Sequence, residues 1–339
     1  MSDIVIQMFQ AENAPLPEIY QWGIEVIKLI QRLESPFLTS IMKFITALGE
    51  PYFYAPVILF IFWWIDEKRG LRLGILILVS AWVNEFLKNV LKQPRPFMIE
   101  PSIGLAHASG YGLPSGHAQM SFTFWLPVAA WLSLQKTSRK RLLIFCAAVF
   151  FSLLMGFTRL YLGVHFPTDL LAGWVLGAIA LVIWFIPGPR LVEYFSSASF
   201  RTRNITAALA ALLMNGLYPG PFPALLLGFC LGYNLKSKSL PSFPEGETSG
   251  KNLRIHVRIL RCLVGFSGIA VLFVFLRFIF PGEGSVFGAL PIWGVNSPFY
   301  ELGHFIRYGL IGLWASAGAP LVFQRLGLAS TRSAAGKEP

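Results

Sequence analysis

Charged residues are scarce in this chain of 339 residues, where they make up 13% of the sequence. Soluble domains carry roughly 25% charged residues. The deficit is concentrated in apolar stretches of roughly 20 residues, the length that spans a bilayer, and the mean hydropathy is +0.59. These stretches argue against a soluble multidomain protein and predict helices that cross a membrane.

Cysteine is also rare, since the chain contains only Cys146, Cys230 and Cys262. Each lies inside an apolar stretch, far from the other two. An odd number of widely spaced thiols in such stretches argues against a disulfide framework and against a cysteine metal site. The residues before Glu18 include acidic side chains and no basic cluster, so they predict no cleavable signal peptide.

The net charge of +11 would suggest nucleic-acid binding in a soluble chain. In a membrane protein an excess of Lys and Arg is expected in cytoplasmic loops, so we predict no nucleic-acid partner. Two connecting segments, 219–223 and 281–302, contain no Lys or Arg. The basic segments are 66–72, 135–141, 188–203, 236–261 and the C-terminal tail. If all ten candidate spans cross the membrane, these basic segments fall on one side, and the positive-inside rule assigns them to the cytoplasm and the two others to the opposite side.

Ten apolar stretches are candidate spans, of which we expect eight to ten to be real. They are 37–50, 52–66, 71–92, 117–134, 141–162, 168–187, 205–218, 223–235, 259–280 and 303–323. The seventh and eighth are separated by a segment rich in Pro and Gly, which fits a tight helical hairpin or a re-entrant pair. The predicted fold class is therefore all-α, a polytopic transmembrane helical bundle.

The domain organisation follows from where polar and apolar segments alternate. In residues 17–34, apolar and charged side chains alternate at helical spacing, which predicts an amphipathic helix at the membrane interface. Residues 236–253 are polar and rich in Ser, Pro and Gly, which is typical of a linker. The predicted regions are an interfacial helix at 1–35, a transmembrane core at 36–200, a helical hairpin at 201–235, a cytoplasmic linker at 236–257, a two-helix membrane unit at 258–325 and a tail at 326–339.

Three short polar stretches lie at the ends of predicted spans, on the side that is otherwise poor in Lys and Arg. They run from Lys88 to Pro96, from Pro114 to His117 and from Thr158 to Asp169. Ionisable groups near the bilayer are costly unless they have a function. We therefore expect the three stretches to converge on one site, and their cations indicate an anionic substrate.

The residue types fit phosphoryl transfer. Lys88, Arg95 and Arg159 can neutralise a dianionic phosphate, whose oxygens match the guanidinium fork. Ser115 and Gly116 open a predicted span, so their backbone N–H groups are expected among the free donors of a helix N-terminus. Gly116 also lets the backbone approach a ligand closely.

Two histidines divide the remaining roles. His165 and Asp169 are four residues apart, so they share a helical face or meet in a turn that begins at Pro167. In either geometry the carboxylate accepts from one ring nitrogen and leaves the other lone pair free, which makes His165 the nucleophile. His117 has no carboxylate nearby in sequence. It directly follows Ser115 and Gly116, the residues predicted to form a phosphate cradle of backbone N–H groups, so we assign it as general acid.

These stretches resemble the signature of the type-2 phosphatidic acid phosphatase superfamily: Lys-x6-Arg-Pro, Pro-Ser-Gly-His and Ser-Arg-x5-His-x3-Asp. One position departs, because Thr158 stands where the signature has Ser. The resemblance covers residues 50–185 and implies a six-helix phosphatase core followed by extra C-terminal helices, with no metal and no other cofactor. It implies phosphate binding by Lys88, Arg95, Ser115, Gly116 and Arg159, with His117 as acid, His165 as nucleophile and Asp169 as its partner.

The expected activity is hydrolysis of a lipid phosphomonoester or diphosphate through a phosphohistidine, with the lipid substrate held in the bilayer. The expected location is a multi-pass protein of a bacterial inner membrane, with its site facing the periplasm or a lumen. The extra C-terminal helices resemble the sphingosine-1-phosphate phosphatase branch. Two alternatives stay open, a lipid phosphotransferase with the same intermediate and a non-catalytic lipid-binding or transport protein. The oligomeric state is not predicted.

Overall fold

The computed structural model describes residues 17–239, 255–281, 291–293 and 297–328. All regular structure in these ranges is helical, which confirms the predicted all-α fold class. The helices are α1 Glu18–Gln31, α2 Pro36–Ala47, α3 Pro51–Phe60, α4 Glu67–Leu91, α5 Pro96–Ile99, α6 Gly116–Leu132, α7 Ser138–Tyr161, α8 Pro167–Phe185, α9 Gly188–Ser197, α10 Phe200–Leu217, α11 Pro221–Ser239, α12 Ile255–Ile279, α13 Tyr300–Leu313 and α14 Ala319–Arg325. Residues 240–254 of the predicted linker and 329–339 of the predicted tail lie outside the described residues.

Fewer helices are long and apolar enough to cross a membrane than the eight to ten expected. Among the described residues there are five, or six if the bent pair Pro36–Ala47 and Pro51–Ile65 counts as one span. The five are Glu67–Ile99, Ser138–Tyr161, Pro167–Phe185, Ile255–Ile279 and Tyr300–Arg325. The stretches 37–50 and 52–66, expected as two spans, form that pair, which is bent by 48°.

Three other predicted spans form helices that are shorter or more polar than these five. Helix α6 has 17 residues, and a helix rises 1.5 Å per residue against a hydrocarbon core of about 30 Å. Helices α10 and α11 are long enough, but their polar ends carry Arg201, Arg203 and Lys236. Helix length and polarity together therefore give fewer candidate membrane spans than the apolar stretches alone suggest.

The chain folds as two compact units. The described residues of unit 1 are 17–55 and 80–189, and those of unit 2 are 56–79, 190–239, 255–281, 291–293 and 297–328. All three polar stretches singled out from the sequence belong to unit 1.

Helix α1 packs its apolar face inside unit 1. Ile24 and Ile27 are buried with Ile103 and Phe166 in one cluster. The side chain of Gln31 donates hydrogen bonds of 2.8 Å to the carbonyls of Ile103 and Tyr161. A helix forms at this segment as predicted, and it supports the turn that connects α7 to α8. Its location at the membrane interface stays a prediction.

Close packing of α6 against α8 depends on small residues. A Cβ on Gly173 would lie 2.5 Å from the carbonyl oxygen of Ser115, and one on Gly177 would lie 2.9 Å from Cβ of Phe122. A buried polar side chain adds a link from α6 to α4, because Gln119 donates to the carbonyl and hydroxyl of Ser80. These contacts hold the beginnings of α6 and α8 next to each other.

In unit 2, glycines allow the same close packing between α11 and α13. A Cβ on Gly228 would lie 1.9 Å from the carbonyl oxygen of Gly309, and one on Gly312 would lie 2.5 Å from that of Leu225. Small residues at such crossings let helix backbones approach closely, which is a common way to pack helices in membranes.

We predict that Gly228→Ala destabilises the protein, because its methyl group would force α11 and α13 apart. Overpacking of this kind costs about 1–3 kcal/mol, and each kcal/mol lowers an unfolding midpoint by about 2–4 °C in a chain of this class. Thermal unfolding of the purified protein in detergent measures the change. The matched control is Gly216→Ala on α10, where nothing lies within 4 Å of the added Cβ. Equal midpoints for the two variants would contradict the packing argument.

Candidate active site

The structure brings the predicted site residues together in unit 1, at the ends of four helices. Lys88 lies in the last turn of α4 and Arg159 in the last turn of α7. Ser115 is the N-cap of α6, while Asp169 lies in the first turn of α8. His165 lies in the turn between α7 and α8. The side chains of Arg95, Arg159, His165 and Asp169 are almost fully buried.

The pairing of His165 with Asp169 is a turn geometry, one of the two alternatives that the sequence leaves open. Nδ1 of His165 lies 3.2 Å from Oδ2 of Asp169. The same oxygen accepts a 2.9 Å hydrogen bond from the backbone N–H of Phe166, the N-cap of α8. The other oxygen accepts one of 2.8 Å from the side chain of Gln93. With Nδ1 donating to the carboxylate, the lone pair of the histidine lies on Nε2.

Arg95 faces that second nitrogen. Its Nη1 lies 3.1 Å from Nε2 of His165. Backbone carbonyls fix the guanidinium, since it donates to those of Ser109, Gly110 and Val164 at 2.7, 2.9 and 3.0 Å. The arginine that is expected to bind phosphate is therefore held beside the nitrogen that is expected to attack it.

The other two cations are held differently. Nη1 of Arg159 donates a 2.7 Å hydrogen bond to the hydroxyl of Thr46. Its buried Nε has no hydrogen-bond partner among the described residues. Lys88 forms a 2.8 Å ion pair with Glu85, one turn earlier on α4. Arg159 is buried, Lys88 is 13% exposed, and the charges of both act on the two histidines, which favours anion binding at this place.

The phosphate cradle expected at the beginning of α6 is only partly available. The N–H of Ser115 donates to the carbonyl of Asp169 at 2.9 Å, so its assignment as a free backbone donor is wrong. The N–H groups of Gly116 and His117 are left as donors of the first turn. Gly116 also sits close to the cations, since a Cβ there would lie 3.8 Å from Nζ of Lys88.

A carboxylate lies close to His117, although the sequence shows none nearby. Nε2 of His117 is 3.4 Å from Oε1 of Glu50 and 3.2 Å from the carbonyl oxygen of Thr46. Gly49 allows this approach, because a Cβ there would lie 2.5 Å from the histidine ring. Thr46 lies in the last turn of α2 and Glu50 in the break between α2 and α3, so both partners are far away in the sequence.

The electrostatics of the turn favour a neutral imidazole at position 165. Burial lowers the pKa of His165 well below its ordinary value, and Arg95, Arg159 and Lys88 lower it further. The side chain therefore keeps a free lone pair at neutral pH, as a nucleophile requires. The described residues include no group of three or more His, Cys, Asp or Glu side chains placed to hold a metal ion.

Sequence reasoning missed three polar residues of the site. Gln93 lies inside the first motif at a position that the signature leaves open, and it donates to Asp169. Thr46 and Glu50 lie outside all three motifs, at a helix break that the sequence presents as part of an apolar stretch. Only the fold brings them next to Arg159 and His117.

Comparison with known proteins finds two family matches along the chain. Residues 69–190 match the family model of the PAP2 superfamily, and residues 221–331 match the one described as PAP2 superfamily phosphatase, transmembrane extension. All eight residues assigned to the site from the sequence lie within the first match.

Three curated relatives each match less than half of this chain. The chain is 31% identical to undecaprenyl-diphosphatase of Sulfolobus acidocaldarius over 160 residues, which is 46% of this chain and 74% of that protein. It is 30% identical to phosphatidylglycerophosphatase B of Bacillus subtilis, over 45% of this chain and 75% of that protein. It is 30% identical to sphingosine-1-phosphate phosphatase 2 of Mus musculus, over 48% of this chain and 46% of that protein.

We predict that Thr158→Ser leaves phosphate release within about twofold of the unchanged protein, because either hydroxyl can bond back to its own helix. The hydroxyl of Thr158 donates to the carbonyl of Met155 at 2.7 Å. Initial rates on a lipid phosphate measure the effect. Arg159→Gln, one residue later, removes a cation of the site and should lower the rate by about 100-fold or more. A comparable loss in Thr158→Ser would mean that the hydroxyl acts on substrate.

Proposed function

The chain belongs to the PAP2 superfamily of membrane phosphatases, and we propose that it removes phosphate from a lipid through a phosphohistidine formed on His165. One observation carries the mechanism: His165 has a carboxylate on one ring nitrogen and the guanidinium of Arg95 on the other. A neutral imidazole oriented in this way can act as a nucleophile on an anion that Arg95 binds.

The first step transfers the phosphoryl group to the histidine. Lys88, Arg95 and Arg159 hold the phosphate oxygens and neutralise their charge. Nε2 of His165 attacks phosphorus in line, the N–P bond forms and the P–O bond to the lipid breaks. Protonated His117 gives its proton to the departing lipid oxygen, so that an alcohol leaves.

The second step returns the enzyme to its starting state. Water attacks phosphorus while His117, now neutral, takes one of its protons. The N–P bond breaks, inorganic phosphate leaves and His117 is protonated again. Asp169 stabilises the positive charge that the ring of His165 carries in the intermediate, and it prevents the ring from turning.

The arrangement of the site favours a lipid over a soluble phosphate ester. The site is built at the ends of α4, α7 and α8, which are long and apolar enough to cross a membrane. A phosphate bound there can belong to a molecule whose hydrocarbon chain stays between helices or in the bilayer. The substrates named for the three relatives differ in headgroup, and each joins a phosphate to a long apolar chain.

The side of the membrane is inferred from charge. Segments 219–223 and 281–302 contain no Lys or Arg, while the loops assigned to the cytoplasm are basic. The three motifs lie at the span ends predicted for the non-cytoplasmic side. We infer that the headgroup enters from the periplasm or a lumen.

We expect His165→Ala to lower phosphate release by about 10³-fold or more, because no phosphohistidine can form. Release is measured on purified protein with sphingosine-1-phosphate, phosphatidic acid, phosphatidylglycerophosphate and undecaprenyl diphosphate, with EDTA present to test metal independence. His107→Ala is the matched control, since that histidine is exposed and contacts Phe97. Unchanged turnover in His165→Ala would remove this residue from the mechanism, and transfer of label to an added alcohol would identify a phosphotransferase.

Glu50→Gln tests the role of His117 as general acid. Glu50 is a positioning residue that favours the protonated imidazole, so its loss should slow release of an alkyl leaving group by about tenfold. An aryl phosphate such as p-nitrophenyl phosphate needs little help from an acid and should lose less than about twofold.

Two further variants separate this role from a structural one. Glu50→Asp should restore part of the rate on the lipid. Glu100→Gln is the control, because Glu100 is a carboxylate of the same unit that pairs with Lys28. Equal losses on alkyl and aryl substrates would show that Glu50 only supports the fold.

A further inference from the structure

Unit 2 contains a second group of cationic side chains, around a cavity of about 420 Å³. Arg277 reaches it from the last turn of α12. Glu301, His304 and Arg307 line it from the first two turns of α13. Phe273 adds an apolar wall.

Among the described residues, the charges around this cavity are not balanced. In the part of unit 2 that the structure describes, neither arginine forms an ion pair, and neither does Glu301. Two guanidinium groups therefore face the cavity against one carboxylate, which leaves it with a net positive charge. An unpaired cation in such a place is costly unless an anion joins it.

Arg307 adds a second, independent observation. Its side chain is 3% exposed. Nη1 donates to the carbonyl of Phe280 at 2.9 Å, and the guanidinium lies 4.8 Å from the ring centroid of Tyr308. Its Nε is buried and has no hydrogen-bond partner among the described residues. A buried donor without an acceptor is rare, because the free energy lost on its desolvation is not recovered. A ligand that supplies a hydrogen-bond acceptor would remove this cost.

The positions of these arginines in the sequence also need a reason. Arg277 and Arg307 lie within helices that qualify as membrane spans. They flank the segment 281–302, which contains no Lys or Arg. The positive-inside rule therefore does not account for them, because their helix ends belong to the side that is poor in basic residues.

We propose that this cavity binds the phosphate of an anionic ligand, as a site separate in sequence and in fold unit from the catalytic residues. Two guanidinium groups match phosphate oxygens through their donor forks. His304 lies between the rings of Tyr300 and Tyr308, with centroids at 5.8 and 4.8 Å, so the wall beside the cations is aromatic. The ligand chemistry is a phosphate next to an apolar group, as in a lipid headgroup, or free phosphate.

Arg277 is the residue that tests the site, because its side chain is exposed and forms no hydrogen bond with the described residues. Arg307 supports the end of α12 through Phe280, so its removal would also weaken the fold. The probe is phosphatidylglycerol, a phosphodiester with a net negative charge that presents no terminal phosphate for hydrolysis. Phosphatidylcholine, a phosphodiester without net charge, is the lipid control.

Native mass spectrometry of the full-length protein in detergent counts bound lipid. We expect one retained phosphatidylglycerol in the unchanged protein and weaker binding by about tenfold in Arg277→Gln, the effect of losing one charge-assisted hydrogen bond. Arg277→Lys should keep most of the binding. Arg201→Gln, an exposed cation elsewhere in unit 2, is the matched control and should keep all of it.

A second arm separates the two sources of phosphate. Release of phosphatidylglycerol by millimolar inorganic phosphate would assign the site to free phosphate, and retention would assign it to a lipid headgroup. Phosphate release from a lipid monoester should be the same in Arg277→Gln as in the unchanged protein, so failure of this proposal is distinct from failure of the catalytic one. Equal binding of both lipids, or undiminished phosphatidylglycerol binding in Arg277→Gln, would overturn the proposal.

Discussion

The candidate active site depends on one buried carboxylate, that of Asp169. Its two oxygens accept from the backbone of Phe166, the ring of His165 and the side chain of Gln93. Its backbone carbonyl accepts from the N–H of Ser115. One residue therefore joins the beginning of α8, the second motif, the end of the first motif and the imidazole. A carboxylate that is 0% exposed needs these donors, because burial of an unpaired charge is very costly.

The cations of the site are positioned mostly by neutral acceptors. Carbonyls of Ser109, Gly110 and Val164 fix Arg95, and the hydroxyl of Thr46 fixes Arg159. A neutral acceptor orients a guanidinium without cancelling its charge, so the charge stays available for an anion. Lys88 differs because Glu85 pairs with it directly.

The sequence predicted the part of this site that lies in short stretches. Within each motif the residues are close in the chain, so spacing alone indicates which side chains share a helix end. Glu50 and Thr46 could not be found in this way, because a break between two helices brings them to the site from far away in sequence. The span count failed for a related reason. Apolar stretches do not reveal that α2 and α3 form one bent pair, or that α6 ends after 17 residues.

Two clusters of Arg and His in one chain show why residue types alone do not define a function. In unit 1 the ring of His165 has a carboxylate on one side, and this contact determines which nitrogen carries the proton. In the described part of unit 2 the ring of His304 has tyrosine rings beside it and no ion pair with Glu301. An imidazole without a carboxylate partner is not oriented for attack, although cations near it still attract an anion. The first arrangement therefore suits chemistry on phosphate, whereas the second suits only its binding.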